Sequence, residues 1–264
     1  MPTFEPHPDY RPVLVSGASS GIGASTARTL AAAGHPVALG ARRIAACEEV
    51  AESIRAEGGQ ALAHKLDVGD AASVREFVDA AQEAHGPTEI LVSGAGDLDA
   101  ALIHELDPED FAHHLNVHLV GTHRLVSAVV PGMVRRGRGD VVVIGSDVVP
   151  SPRPRVGSYV PAKSGVEAMA RTMQMELEGT GVRASIVRPG PTQTAMGMDF
   201  GEEKAGPLLE DWMHWGFARH PYFLRPSDIA AAVSTVVSVP RGAHVALMEV
   251  QPEAPLTKEA HDAS

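Results

Sequence analysis

Seven short runs of β-forming, mostly apolar residues, each followed by a stretch of helical character, constrain this chain more tightly than any other feature. The runs are Val13–Ser16, Val37–Gly40, Ala61–Val68, Ile90–Ser93, Val141–Ser146, Val182–Arg188 and His244–Val250. Most are apolar throughout instead of alternating, the pattern of strands covered by helices on both faces. Strand and helix in succession read as βαβ units, so the expected fold is α/β: a doubly wound parallel sheet of seven strands with helices on both sides. Gly34 and Pro36 close the first helix, Ala24–Ala33, and Asp107 followed by Pro108 opens a long one. A length of 264 residues suits a single domain, expected to span residues 1–264. Residues 195–225 break the alternation, carry both tryptophans and read as an inserted flap.

A formal charge of −11 argues against general nucleic-acid binding, which needs clustered Lys and Arg. Cys47 is alone, so no internal disulfide forms and no cluster of thiols with metal-ligand spacing exists; no metal is expected, and a reducing cytoplasm is the simplest location. The opening stretch from Met1 to Pro12 holds four prolines and reads as a loose arm, not as the apolar core of a secretory signal. No stretch is expected to supply the roughly 18 to 20 apolar residues that span a bilayer.

Directly after the first strand comes Ser16-Gly17-Ala18-Ser19-Ser20-Gly21-Ile22-Gly23, leading into a helix. Glycines 17, 21 and 23 allow a tight turn, close backbone approach to a pyrophosphate and close helix–strand packing, while the helix N-terminus offers unpaired N–H donors. The sheet is therefore expected to be of the Rossmann type, binding a dinucleotide through Gly17, Ser19, Ser20, Gly21, Ile22 and Gly23. The second strand ends Gly40-Ala41-Arg42-Arg43, with no carboxylate at its tip. Arg42, with Arg43 beside it, offers a permanent positive charge to a 2′-phosphate, so NADP is expected over NAD. In the alternative, these arginines merely open the next helix and pair with Glu48 or Glu49.

Tyr159 and Lys163 stand four residues apart in a helix expected to start near Gly157, hence on one face. An ammonium ~4 Å from a phenol at an effective dielectric of about 20 is worth on the order of 4 kcal/mol, or roughly three pKa units before desolvation. The same spacing describes a tyrosine packed under a lysine stem, so context decides. Ser146 ends the fifth run, at the edge of the sheet where ligands bind, and its hydroxyl can donate to a substrate oxygen that gains charge.

With these residues in this order, the chain resembles the short-chain dehydrogenase/reductase family over nearly its whole length. The resemblance implies that Tyr159 transfers the proton, Lys163 holds the nicotinamide ribose and lowers the phenol pKa, and Ser146 orients the carbonyl. It also implies that Asp67 and Val68 meet the adenine, and that Pro189, Gly190, Thr192 and Thr194 form the turn holding the carboxamide and pyrophosphate. Two departures stand out. Where the family has Asn-Asn-Ala-Gly, this chain has Ser93-Gly94-Ala95-Gly96, expected to lose side chains that brace the sheet while Gly94, Ala95 and Gly96 keep the backbone close to the coenzyme. The helical Asn of the family's proton relay aligns with His118, while Asn116 is expected to face elsewhere; His118 is expected to take the relay role, with a pH dependence near about 6.5.

Met196, Met198, Phe200, Leu208, Leu209, Trp212, Met213, Trp215 and Phe217 promise an apolar, adaptable substrate lining. The expected substrate is a small molecule that is bulky and hydrophobic, of lipid or sterol-like kind. The ending Leu247–Pro252 resembles the 3-hydroxy-acid dehydrogenase branch and keeps hydroxy acids as the alternative. A reading of another class is a dinucleotide-binding regulator or scaffold without turnover. The resemblance further implies a homo-oligomer, tetramer or dimer, through the helices expected at 107–136 and 157–179.

Overall fold

The computed structural model describes residues 4–194, 201–217, 220 and 222–254, with the backbone alone for 201–205. Seven parallel strands form one sheet: β1 (Val13–Ser16), β2 (Val37–Ala41), β3 (Ala61–Lys65), β4 (Ile90–Ser93), β5 (Gly139–Ile144), β6 (Val182–Pro189) and β7 (Leu247–Val250), in the order β3-β2-β1-β4-β5-β6-β7. This is the doubly wound Rossmann-type arrangement that the alternation predicts. The helices are α1 (Gly21–Ala32), α2 (Ile44–Ala56), α3 (Ala71–His85), α4 (Pro108–Leu115), α5 (Gly121–Arg136), α6 (Tyr159–Glu176), α7 (Gly201–His214) and α8 (Pro226–Ser238).

Period-two alternation along the strands feeds two core layers. Val13, Val15 and Leu39 pack with Leu30 of α1, Ile54 of α2 and Val233 of α8. Leu14, Ala38 and Leu91 point the other way, toward Phe77 of α3, Leu125 of α5 and Val166 of α6. The edge strands differ: β3 is half-buried and β7 alternates exposed and half-buried positions, since each is paired on one side only.

Several boundaries depart from expectation. β3 stops at Lys65 because the chain turns at Asp67, whose carboxylate accepts from Gly69 N at 2.8 Å. β5 ends at Ile144, two residues before Ser146, and β7 begins at Leu247 instead of His244. The long helix expected over 107–136 is two helices joined by a π turn at Asn116–Val120. Among the described residues, one run, Pro108–Arg136, is long and apolar enough by length and composition alone to cross a membrane. Its Val117, Leu125, Val129 and Met133 are buried in the core against the sheet.

At the amino ends of the strands, opposite the glycine loop, lies a buried ionic cluster. Asp140, 2% exposed, accepts from Arg11 and, at 2.7 Å, from Arg183 Nε, while Glu89 sits 3.7 Å from Arg11 Nε. Removing one member of such a cluster strands an uncompensated charge. Asp140→Ala is therefore expected to cost about 3–5 kcal/mol of stability, read from equilibrium denaturation.

Candidate active site

The strand order reverses between β1 and β4, and the crevice at their carboxyl ends is where an open α/β sheet receives a ligand. A cavity of about 1260 Å³ opens there, larger than one drug-sized ligand needs. Every dinucleotide-binding residue expected from the sequence lines it, as do Ser146, Tyr159 and Lys163. Gly17 adopts φ 75°, and a Cβ on it would fall 2.8 Å from the Gly94 carbonyl. A Cβ on Gly23 would stand 2.3 Å from the Gly17 carbonyl, so only glycine lets α1 start this close to β1. The expected loss of bracing beside Gly94 does not occur. Ser16 Oγ accepts from Gly94 N at 3.1 Å and Ala95 N at 3.2 Å, and Ser93 Oγ bonds Thr122 Oγ1 at 3.0 Å.

At the adenosine end, Arg43 reaches back over the glycine loop, donating to Ser19 Oγ at 3.2 Å and Ser20 Oγ at 2.9 Å. Glu48, offered above as its structural partner, is instead paired with Arg55. Arg42 and Arg43 thus line the cavity with no carboxylate of the described residues among their hydrogen bonds and ion pairs, a donor set suited to a phosphate. Asp67, Val68, Pro189, Gly190, Thr192 and Thr194 also line the cavity, with Thr194 Cγ2 against the Gly21 backbone. The glycine cradle and this donor set fit a dinucleotide.

At the other end, Tyr159 opens α6 and Lys163 follows one turn later, its Nζ 5.5 Å from the phenol ring centre. Lys163 Nζ donates to the Ile144 carbonyl at 2.9 Å. Lys163 is buried and Tyr159 half-buried, and desolvation governs both: it pushes the Tyr159 phenol up to about 12, with the Ser146 hydroxyl pulling the other way, and the Lys163 ammonium down to about 8, opposed by Glu167. Desolvation thus outweighs the groups that lower the phenol, which are the Ser146 hydroxyl and the Arg153 guanidinium and not, as expected, Lys163.

The family model for short chain dehydrogenases matches residues 11–205. The chain belongs to the short-chain dehydrogenase family. It is 35% identical over 238 residues to a glycine betaine reductase of Emericella nidulans, covering 90% of this chain but only 18% of that protein. It is 31% identical to the 2,3-dihydro-2,3-dihydroxybenzoate dehydrogenase of Bacillus subtilis, covering 85% and 88% of the two chains. Among solved structures, an alcohol dehydrogenase of the archaeon Thermococcus sibiricus, complexed with 5-hydroxy-NADP, superposes with a TM-score of 0.78 at 32% identity, over 93% of this chain and 100% of that one. Short-chain dehydrogenases are nicotinamide-dependent oxidoreductases acting on alcohol and carbonyl groups.

This short-chain dehydrogenase also carries site residues that the sequence reading missed. Glu167, fully buried one turn beyond Lys163, accepts from Arg188 at 2.7 and 3.1 Å, from Arg171 at 2.9 Å and from Ser146 N at 3.4 Å, which fixes the backbone of the serine. Arg153 lines the cavity, pairs with Asp147 and stacks over Trp212, its carbon centre 4.9 Å from the ring. His118 is 1% exposed and meets Tyr159 edge to face at 5.4 Å, although it does not line the cavity. Burial and the nearby Lys163 lower its pKa against the hydrogen bond to Asp97, so any titration falls below the expected value of about 6.5. Asn116 does face elsewhere, accepting from Arg124 at 3.0 Å.

Of the flap residues, Leu208, Leu209 and Trp212 line the cavity. Met213 and Trp215, expected there, point to solvent at 65% and 66% exposure, and Phe217 is not in the lining; Tyr222 and Phe223 take their place. Met196, Met198 and Phe200 lie outside the described residues.

A phenol held near 12 is protonated at neutral pH and ready to donate, but offers little phenolate to accept a proton. The kcat/KM for alcohol oxidation is accordingly expected to climb between about pH 7 and pH 9, whereas that for carbonyl reduction does not rise, as initial rates in both directions will show.

Proposed function

We propose that this chain is an NADP-dependent oxidoreductase that interconverts a secondary alcohol and a carbonyl on a bulky hydrophobic substrate, of lipid or sterol-like size. The observation that carries the proposal is that one cavity holds Ser146, Tyr159 and Lys163 at one end and the glycine loop with Arg43 at the other. When bound, the nicotinamide supplies or takes the hydride. Ser146 donates to the substrate oxygen, Tyr159 gives or removes the proton, and Lys163, anchored on the Ile144 carbonyl, positions the ribose. Arg42 and Arg43 hold the 2′-phosphate, and the 5-hydroxy-NADP bound by the Thermococcus sibiricus relative supports the same coenzyme.

Val148, Val156, Leu208, Leu209 and Trp212 form the apolar wall that supports a large hydrophobic substrate, with residues 195–225 as the flap over it and residues 1–264 as one domain. Val120, Val134 and Met175, exposed on the π turn, α5 and α6, support association of these helices between copies, as a tetramer or dimer. Cys47 is buried and pushed up to about 11 by desolvation, an inert thiol in keeping with a cytoplasmic protein.

The reading is tested by a spectrophotometric screen of alcohols and ketones with both coenzymes. NADPH at ~100 times its Kd is expected to stabilise the fold by about 2.7 kcal/mol and to exceed NADH at equal concentration. Tyr159→Phe is expected to abolish turnover and leave that stabilisation intact. Stabilisation without turnover of any substrate in the unaltered protein would favour a dinucleotide-binding scaffold instead.

A second reading, a hydroxy-acid dehydrogenase, is favoured by Arg153. Its side chain is 9% exposed in the cavity wall, Asp147 engages only Nη2, and Nε is buried without a hydrogen-bond partner. A guanidinium so placed suits a substrate carboxylate, and the dihydroxybenzoate in the name of the Bacillus subtilis relative's substrate is a hydroxy acid. On this reading Arg153→Met raises KM on the order of tenfold or more for an apolar hydroxy acid and leaves KM for its methyl ester unchanged. Equal effects on acid and ester would remove it.

A further inference from the structure

We propose that Asp97 and His113, with His118, form a proton path from Tyr159 to solvent; the inference rests on the oxidoreductase reading above and adds two residues to it. Asp97 is surrounded by three imidazoles: His113 Nε2 lies 3.2 Å from Oδ2, while His114 Nε2 and His118 Nε2 lie 3.7 and 3.5 Å from Oδ1. In an α-helix, residues five apart are rotated by about 140° and cannot converge on one group. Here the π turn at Asn116–Val120 widens the backbone between His113 and His118 and brings them to the same carboxylate.

Exposure rises along the path. The His118 side chain is 0% exposed, Asp97 26% and His113 52%. The inner end is a built seat: a Cβ on Gly96 would fall 2.2 Å from His118 Cε1, so the ring occupies space that only glycine leaves. His118 Nε2 faces both the Asp97 main-chain carbonyl, at 2.7 Å, and the Asp97 N–H, at 3.2 Å; in the tautomer that donates to the nearer carbonyl, Nδ1 is the acceptor. Nδ1 is buried without a protein partner, the kind of group that an internal water satisfies. The charged and titratable groups facing His118 are Asp97 from the loop after β4 and Tyr159 and Lys163 from α6; those facing Asp97 are His113, His114 and His118. Among the described residues, no group of three or more His, Cys, Asp and Glu is arranged to hold a metal ion.

During alcohol oxidation Tyr159 receives the substrate proton and passes it through a bridging water to His118 Nδ1. The Nε2 proton leaves for Asp97, Asp97 hands it to His113 Nε2, and His113 releases its other ring proton to solvent. One proton enters and one leaves, each ring ends in its other tautomer and must turn over to reset the path, and reduction runs it backwards. Burial pushes the Asp97 carboxyl up, but His118, His114 and His113 outweigh it and hold it at about 2. Asp97 is therefore a transient carrier that holds the proton only in passing between the imidazoles.

The test uses the full chain with the best alcohol substrate in dilute buffer, comparing His113→Ala, Asp97→Asn, their double variant and His104→Ala, an exposed histidine outside the cluster. The two single variants are expected to lose kcat on the order of tenfold, to show a larger solvent deuterium isotope effect and to recover with added imidazole, at unchanged KM for coenzyme. The double variant is expected to lose no more than the worse single, and His104→Ala nothing. His113 is half-exposed, so its variant keeps the test alive if Asp97→Asn fails to fold. Turnover in the unaltered protein with no change of kcat or isotope effect in His113→Ala overturns the path alone, as does a loss that imidazole does not restore. Absence of turnover in the unaltered protein overturns the oxidoreductase reading and the path together.

Discussion

The catalytic edge of this molecule depends on keeping an ammonium ion away from water. Lys163 is 6% exposed, and a charge so placed is tolerated only when hydrogen-bonded and countered by another charge. The Ile144 carbonyl supplies the bond, and Glu167 on the next turn of α6 supplies the charge. Glu167 is itself fully buried and needs Arg188 and Arg171, and Arg188 bonds Glu249 of β7 at 2.8 Å. The compensation thus runs from α6 through the end of β5 and along β6 to β7. Because each member is fixed by the next, the sheet itself sets where Lys163 stands, and through it the turn of helix that carries Tyr159.

The same burial explains why the tyrosine–lysine pair was found in the sequence but its electrostatics was misjudged. Spacing of four residues assigns a common face, and the phenol and ammonium do share one. It carries no information on depth, and depth decides the sign: desolvation raises the phenol and lowers the ammonium together. A comparable limit set the strand ends. Leu66, Asp67 and Val68 continue β3 in composition, but Asp67 turns its carboxylate onto Gly69 N and ends the ladder, a local bond that competes with the strand. In the flap, Trp212, Met213 and Trp215 look equivalent by hydropathy. Only the first faces the cavity, because Trp212 Nε1 donates to the Pro154 carbonyl at 2.9 Å and ties its ring to the loop before α6.

What the sequence left hidden is non-local. Glu167 reads as one more polar residue in a helix until Arg188 is brought from 21 positions away. Arg153 sits between Ser146 and Tyr159 with no pattern to single it out. Helical periodicity puts His114 and His118 on one face but turns His113 away from His118, and nothing in the chain announced the π turn that brings His113 to the same carboxylate. Ser16 is instructive in the opposite direction. It stands in the glycine motif as an ordinary strand-end residue, yet its hydroxyl accepts from two backbone N–H groups beyond β4 and so does the bracing that the change to Ser93-Gly94 seemed to forfeit.

The two ends of the sheet solve opposite problems with the same residue types. At the amino ends, Arg11, Glu89, Asp140 and Arg183 are matched to one another, so that charge is spent on holding strands together. At the carboxyl ends charge is left incompletely matched: Arg153 keeps an unbonded Nε, His118 a bare Nδ1, and Lys163 a pKa drawn down to about 8. Unsatisfied polar groups inside a fold are costly, and they persist where ligands or protons complete them. Those of Arg153, Asp97 and His118 lie at or beside this crevice, next to glycines that leave no room for a side chain, and so mark it alongside the motif.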